Sequence, residues 1–253
     1  MERLKAYSKV NLILKVFPKL KNESKHRIHS LFCLYQSLYD DIQIEESTTT
    51  RIVFIRYNKK INIDSTKILL AIDYLSKLLK RTIFLNIIIN KKIPVMAGLG
   101  GSATDVATII KWVIKKYNFK LLSTHLKHIA LNIGSDIPFF LSNYLSAWVS
   151  AYGNKVVQNH KKIPRFKLIL THIPISTTNV YNAMNDKKYR SQVNVKHAYQ
   201  MLQDQSSTKN VVCNDMWSFA NKESAKLNAI SSKLSKNKKV ILSGSGGTFV
   251  EIQ

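Results

Sequence analysis

The sequence contains few cysteines, few acidic residues and no long apolar run, and each shortage argues against a class of protein. Its two cysteines, Cys33 and Cys213, stand far apart and lack the spacing of metal ligands. They predict buried or half-buried thiols in a reducing compartment rather than a disulfide framework or a metal site. No apolar run approaches the roughly 20 residues that span a bilayer, and the first residues lack the apolar core of a signal peptide. We therefore expect a cytoplasmic protein with no membrane partner.

Acidic residues are also scarce. The chain has 15 acidic and 39 basic residues, which gives a formal net charge of +24. This surplus makes nucleic-acid binding one alternative function. The basic residues are 32 lysines and seven arginines scattered along the chain, whereas arginine is the side chain suited to base edges and bidentate phosphate contacts. We expect no nucleic-acid partner and a positive field that attracts small anionic substrates.

Three of the eight glycines fall in the segment 94–105, PVMAGLGGSATD. It follows a strand-like stretch and precedes apolar residues at helical spacing. Its glycines let the backbone approach a large anion, and Ser102 and Thr104 add hydroxyl donors at a helix start. It is neither a Walker loop nor a GxGxxG fingerprint. The segment predicts a phosphate cradle, with a plain glycine-rich turn as the alternative. The candidate nucleotide-binding residues are Pro94, Val95, Met96, Ala97, Gly98, Leu99, Gly100, Gly101, Ser102, Ala103 and Thr104.

The order of strand-like and helix-like stretches predicts an α+β fold in two lobes, since strict βαβ alternation is absent. A polar, lysine-rich stretch at 153–164 suggests lobes at 1–155 and 156–253. Gly134 predicts the end of a helix, and Pro138 predicts that the helix does not resume at once. Strand-like stretches lie at 9–17, 26–47, 51–58, 82–90, 165–173 and 239–252. Helix-like stretches lie at 68–80, 106–117, 123–134, 196–203 and 222–236.

A phosphate cradle only binds, so chemistry needs a group for the acceptor's proton and a cation for developing charge. Asp136 stands in GSDIPFF, where a proline and two aromatic residues limit water, and its carboxylate could deprotonate an alcohol. Lys9 stands beside Asn11 in SKVNL, where an ammonium could keep that carboxylate ionised and steady a phosphoryl group. A turn aspartate and a strand-edge lysine are the plain alternatives.

His26 and His29 have the i, i+3 spacing of a metal pair but no third ligand at motif spacing. We therefore expect no protein metal site. His26 is better interpreted as a hydrogen-bonding group for a substrate.

The chain carries, in order, the motifs SKVNL at 8–12, ESKH at 23–26, SLF at 30–32, LYD at 38–40, the glycine segment at 94–105, GSDIPFF at 134–140, STTNVY at 176–181, the pair Asn214-Asp215 and SGSGGT at 243–248. Together they resemble the GHMP kinase superfamily and, within it, the 4-diphosphocytidyl-2-C-methyl-D-erythritol kinases. The similarity runs in order along nearly the whole chain. The glycine loop is typical of the superfamily, whereas the segments at 23–40 are typical of this member.

The resemblance implies an N-terminal lobe like the second domain of ribosomal protein S5 and a C-terminal ferredoxin-like lobe. The second lobe is expected to be shortened, because family members usually continue for about a helix and a strand beyond residue 253. It also implies a small-molecule partner and a monomer or weak homodimer.

The implied reaction is transfer of the γ-phosphate of ATP to the 2-hydroxyl of 4-diphosphocytidyl-2-C-methyl-D-erythritol, an isoprenoid precursor. Asp136 would be the base and Lys9 the charge-stabilising cation. Residues 94–104 would hold ATP, with Mg²⁺ bound mainly through its phosphates. The residues expected to bind the acceptor are Asn11, His26, Gly244, Ser245 and Gly246.

The sequence departs from the family pattern at three positions. Lys25 replaces a tyrosine, so stacking on cytosine is either lost or supplied by another ring. Ser102 replaces a glycine and Ala103 a serine, which removes one hydroxyl from the loop. Alternatives are another GHMP kinase, acting on mevalonate, homoserine or a sugar, or a non-catalytic nucleotide-binding remnant.

Overall fold

The computed structural model describes residues 1–23, 25–185, 189–204 and 211–253. The described strands are β1 (Glu2–Val16), β2 (Ile28–Glu46), β3 (Arg51–Arg56), β4 (Lys59–Ile61), β5 (Leu85–Asn90), β6 (Ser146–Ala151), β7 (Lys155–Gln158), β8 (Phe166–Leu170), β9 (Val240–Leu242) and β10 (Thr248–Ile252). The described helices are α1 (Thr66–Leu79), α2 (Gly101–Lys116), α3 (Ser123–Asn132), α4 (Ile137–Leu141), α5 (Thr177–Ala183), α6 (Val195–Gln203), α7 (Trp217–Glu223) and α8 (Ala225–Asn237).

The chain forms two compact units, and each is discontinuous in sequence. The first contains Met1–Ser8, Tyr35–Pro94 and Gly100–Tyr144, and the second contains Lys9–Leu34, Val95–Leu99 and Leu145–Gln253. The predicted α+β class is confirmed. The predicted boundary between residues 155 and 156 stays a prediction.

In the first unit, strands pair in the order β4-β3-β5-β2, and β2 contributes its C-terminal half. β3 and β5 are parallel, and the connection between them includes α1. Alternate residues of β5 are buried (Leu85, Ile87 and Ile89), as expected for a strand with one face in a core. α1 buries an apolar stripe, and α2 buries both Val106 and Val113. The end of β5 leads into Pro94 and the start of α2.

In the second unit, the N-terminal half of β2 pairs with β6, and β6 pairs with β7. A separate antiparallel sheet has the order β8-β10-β9. Phe249 in its central strand is fully buried. The end of β1 joins this unit through a bridge between Leu14 and Asn214. The turn between β9 and β10 is the second glycine-rich segment.

One local expectation was wrong. The chain forms α4 at Ile137–Leu141, because Pro138 stands in the first helical turn, where its missing N–H has no intrahelical acceptor to lose. Part of the stretch at 153–164 forms β7, which pairs with β6 in a hairpin. Both Cys33 and Cys213 are buried free thiols, as predicted. Among the described residues, no helix is long and apolar enough to cross a membrane.

Candidate active site

The start of α2, in the first unit, has the features expected of an anion site. Gly100 precedes the helix with a φ of 72°, a left-handed conformation that favours glycine. The first N–H groups of a helix lack intrahelical partners, and the first turn of α2 carries no acidic side chain. Ser102 is exposed there, whereas Thr104 is buried. This arrangement suits a phosphate group.

Asp136 lies in the same unit, immediately before α4. It occupies the N-cap position without accepting a capping hydrogen bond, and it is only partly exposed. Phe139 and Phe140, which follow in α4, are buried. Both aromatic residues of the motif therefore lie in α4, and their shielding of the Asp136 carboxylate from water stays a prediction.

Lys9 is a buried cation of the second unit, and only 3% of its surface is exposed. Its Nζ donates to Oδ1 of Asn11 at 2.6 Å and to the carbonyl of Gly98 at 3.2 Å. The ammonium also lies 4.8 Å from the ring centroid of Phe32. Asn11 is held in turn, because its Nδ2 donates to Ser30 at 3.0 Å. Lys9 and Asn11 share a strand face at i, i+2, so the ammonium has a fixed position at the glycine loop.

The two glycine-rich turns pack backbone to backbone in this unit. A Cβ added to Gly98 would lie 2.0 Å from the carbonyl oxygen of Ser243, and one added to Gly247 would lie 2.8 Å from Cα of Ala97. The Ser243 hydroxyl donates to the Gly98 carbonyl at 3.1 Å and accepts from the Asn11 amide at 3.3 Å. The second turn therefore supports the first, a role that the sequence motif did not reveal.

Gly244, Ser245 and Gly246, predicted to contact the acceptor, are buried in that second turn. The carbonyl of Gly244 accepts from Nδ2 of Asn214 at 2.7 Å, and the Ser245 hydroxyl lies 2.7 Å from that of Thr177. Their contact with an acceptor stays a prediction.

His26 lies in an aromatic cluster of the second unit. Its ring stacks on Tyr181, with centroids 5.4 Å apart and planes at 23°, and meets Tyr189 edge-on. Its Nδ1 lies 2.8 Å from the carbonyl oxygen of Phe17, and its Nε2 lies 2.9 Å from Oδ1 of Asn185. Both neighbours are acceptors, so a ring nitrogen that carries a proton donates it to the oxygen that it faces. Tyr181 thus places an aromatic ring next to His26, the neighbour of the Lys25 that replaces the family tyrosine.

A buried ionic cluster beside the start of α2 was missed by the sequence analysis. The Lys91 ammonium donates to Oδ2 of Asp40 and, at 2.6 Å, to Oδ2 of Asp105. We call these three side chains the Lys91 cluster. Burial raises the pKa of Asp105 to about 7, against the opposing effect of Lys91. Burial acts to lower the pKa of Lys91, but the two carboxylates outweigh it and hold that pKa above its usual value.

A large cavity of the second unit is separate from these residues. It has a volume of about 890 Å³ and is lined by parts of α6, α7, α8 and β9, including Trp217 and Lys239. None of the predicted site residues lines it.

The structure thus joins Lys9, Asn11 and Gly98 in one hydrogen-bonded group. Pro94, the residues 100–104 and Asp136 belong to the first unit. The convergence of Asp136 on Lys9 stays a prediction. Among the described residues, no group of three or more histidine, cysteine or acidic side chains could hold a metal ion.

The sequence profile of the GHMP kinases N terminal domain matches residues 66–144. The 4-diphosphocytidyl-2-C-methyl-D-erythritol kinase of a Campylobacter jejuni strain is 31% identical over 225 residues, which cover 87% of this chain and 86% of the relative.

Solved structures agree on the fold. A 4-(cytidine 5'-diphospho)-2C-methyl-D-erythritol kinase superposes with a TM-score of 0.74 and 21% identity, over 99% of this chain and 90% of that one. Streptococcus pneumoniae phosphomevalonate kinase in complex with phosphomevalonate and AMPPNP superposes with a TM-score of 0.59 and 14% identity, over 100% and 93%. The predicted GHMP kinase fold is confirmed. The chain belongs to the 4-diphosphocytidyl-2-C-methyl-D-erythritol kinase family of GHMP kinases.

Proposed function

We propose that this protein is a kinase that transfers the γ-phosphate of ATP to the 2-hydroxyl of 4-diphosphocytidyl-2-C-methyl-D-erythritol. The observation that carries the proposal is the buried Lys9 ammonium, fixed by Asn11 and the Gly98 carbonyl at the glycine-rich loop. A desolvated cation in a fixed position suits a reaction whose transition state spreads negative charge over phosphoryl oxygens. Family membership supplies the acceptor.

ATP would bind with its phosphates at the start of α2. The N–H groups of Gly101, Ser102 and Ala103, which have no acceptor within the helix, and the positive end of the helix dipole favour a polyphosphate there. The exposed Ser102 hydroxyl adds a donor. Mg²⁺ enters as part of the substrate, bound mainly to the phosphates of ATP, where it neutralises charge and orients the transferred group.

Asp136 would act as the general base. Its carboxylate would take the proton of the acceptor's 2-hydroxyl while the hydroxyl oxygen forms its bond to the γ-phosphorus. The bond to the bridging oxygen of ADP then breaks, so one phosphomonoester and ADP result. Lys9 would stabilise the charge that grows on the transferring group.

His26 and Tyr181 would hold the cytosine. The Tyr181 ring supplies a flat apolar face, and stacked aromatic pairs add free energy beyond the area that they bury. With the ring proton on Nδ1, where the Phe17 carbonyl accepts it, Nε2 of His26 would accept from the exocyclic amine of cytosine once Oδ1 of Asn185 moves aside. Asn11 and the 244–246 turn remain candidates for contact with the methylerythritol.

Another GHMP kinase substrate is not favoured, because the matched relative bears the cytidylated acceptor in its name. A non-catalytic remnant is not favoured either, because Lys9 and Asp136 are both retained. The cytoplasmic location, the absence of a nucleic-acid partner and a monomer or weak homodimer stay predictions.

Release of ADP from ATP, Mg²⁺ and the cytidylated acceptor tests the proposal. The wild-type protein should release ADP only when the acceptor is present. Asp136→Asn should lower kcat by about 10²-fold or more, the usual size of general-base assistance. The matched control is Asp73→Asn, which removes an exposed carboxylate paired with Lys77 on α1 and should leave kcat unchanged. Normal turnover by Asp136→Asn, with its melting temperature unchanged, would refute the assigned role.

A further inference from the structure

The Lys91 cluster connects the two chain segments that flank the glycine-rich loop. Lys91 follows β5 immediately before the loop, and Asp105 lies in the second turn of α2 immediately after it. Asp40 comes from β2, and its Oδ1 accepts the backbone amides of Lys92 and Ile93 at 2.6 and 2.8 Å. The Asp40 carboxylate therefore holds residues 92–93, which lead into the loop, and the Lys91 ammonium connects this segment to α2, which follows the loop.

The Lys91 ammonium also lies next to Gly101, the first residue of α2. A Cβ added to Gly101 would lie 3.5 Å from Nζ of Lys91 and 3.1 Å from Cγ2 of Ile93. The exposed fractions of Lys91, Asp40 and Asp105 are 5%, 0% and 2%. These side chains are in direct contact and away from the surface, so a shift of one must displace the others.

The charges of the cluster do not balance. One ammonium faces two carboxylates, so the cluster carries a net charge of −1 when all three are ionised. Lys91 and Asp40 alone would make a neutral buried pair, and Asp105 adds a buried carboxylate whose Oδ1 has no hydrogen-bond partner among the described residues. Such a group costs stability. A merely structural clamp would not require it.

We propose that Asp105 is a positioning residue, which holds the first turn of α2 to Lys91 and so sets the affinity of that turn for the phosphates of ATP. The inference rests on the proposed function, because it needs ATP at the start of α2. Asp105 does not touch the nucleotide in this account. It acts through Lys91, and the groups that face it are the Lys91 ammonium and the Asp40 carboxylate.

Two substitutions of similar shape separate this role from a structural one. Asp105→Asn and Asp105→Leu both remove the charge and leave the neutral Lys91–Asp40 pair. Only asparagine keeps an oxygen that accepts from Lys91. The difference between the two variants therefore isolates the hydrogen bond to Lys91.

Calorimetric titration with AMPPNP and Mg²⁺ measures the effect without any turnover. We expect Asp105→Asn to bind nearly as the wild type does. We expect Asp105→Leu to bind about tenfold more weakly than Asp105→Asn, the size of one hydrogen bond to a charged group, although its melting temperature is not lower. Asp73→Asn is the matched control for removal of an aspartate and should bind as the wild type does.

Equal dissociation constants for Asp105→Asn and Asp105→Leu would overturn the positioning role and leave the proposed function intact. Absence of AMPPNP binding by the wild-type protein would refute the proposed function and this inference together. In steady-state assays, the effect of Asp105→Leu should fall on KM for ATP and not on KM for the acceptor.

Discussion

Gly98→Ala probes the contact between the two glycine-rich turns most sharply. Gly98 has a φ of 74°, and an added Cβ would lie 2.0 Å from the carbonyl oxygen of Ser243 and 2.9 Å from that of Gly246. Both obstacles are backbone atoms, so no flexible side chain can move to make room. The Gly98 carbonyl, which accepts from Lys9 and Ser243, must move with the loop.

The expected cost has two parts. A left-handed conformation costs an alanine about 1–2 kcal/mol, and forcing an extra methyl group into a packed site costs about 1–3 kcal/mol. We expect a loss of about 3 kcal/mol in the free energy of unfolding, which lowers the melting temperature of a chain of this length by about 6–12 °C. Because the loop must shift, we also expect AMPPNP to bind at least about tenfold more weakly.

Thermal unfolding and AMPPNP titration of the same preparation measure both effects. Gly153→Ala is the control, because Gly153 also has a positive φ, of 93°, but lies in the turn between β6 and β7. Gly153→Ala should lose the part of the free energy of unfolding that comes from the left-handed backbone, and it should keep the wild-type affinity for AMPPNP. If Gly98→Ala melted and bound AMPPNP as the wild type does, the packing of the two turns described above would be wrong.

Three further predictions follow from other parts of the structure. Tyr181→Ala should raise KM for the cytidylated acceptor by about three- to tenfold, the effect expected from the loss of one aromatic stack, and should leave KM for ATP unchanged. Tyr181→Phe keeps the ring and should keep the wild-type KM for the acceptor. An unchanged acceptor KM in Tyr181→Ala would show that Tyr181 is not part of the site. Since the pKa of Asp105 is raised from 3.8 to about 7, its folded state binds the proton more tightly than the unfolded state, so this group lowers stability as pH rises between about 4 and 7. Asp105→Asn should therefore gain stability relative to wild type, by on the order of 2 kcal/mol between pH 5 and pH 8, and a difference that does not depend on pH would contradict the assignment. Burial raises the pKa of Cys213 to about 11 and that of Cys33 further, so a thiol reagent should modify neither cysteine in the native protein at pH 8 and both after denaturation.

Much of the fold could be predicted from local patterns. Apolar residues at helical spacing after three glycines predict α2, and a run of β-branched residues predicts β5. The sequence also singled out Gly98 and Lys9, because each stands in a motif whose residue types suit phosphate chemistry, and the structure joins them by a hydrogen bond. The sequence did not predict α4, because a proline indicates a helix break unless its position within the first turn is known.

The contacts that support the site could not be predicted. Asp40 and Lys91 are 51 positions apart, and no local pattern pairs a given aspartate with one of 32 lysines. Ser243 reads as an ordinary turn residue, and only the fold brings its hydroxyl to Gly98. Such long-range pairs depend on packing rather than on local propensity.

The central claim is that this chain phosphorylates one particular hydroxyl. The most direct measurement is ³¹P NMR of the product formed from ATP, Mg²⁺ and 4-diphosphocytidyl-2-C-methyl-D-erythritol by the purified protein. We predict one new phosphomonoester signal, on the 2-position of the methylerythritol, in amount equal to the ADP released. ADP without a phosphomonoester, or a phosphoryl group at another position, would contradict the account.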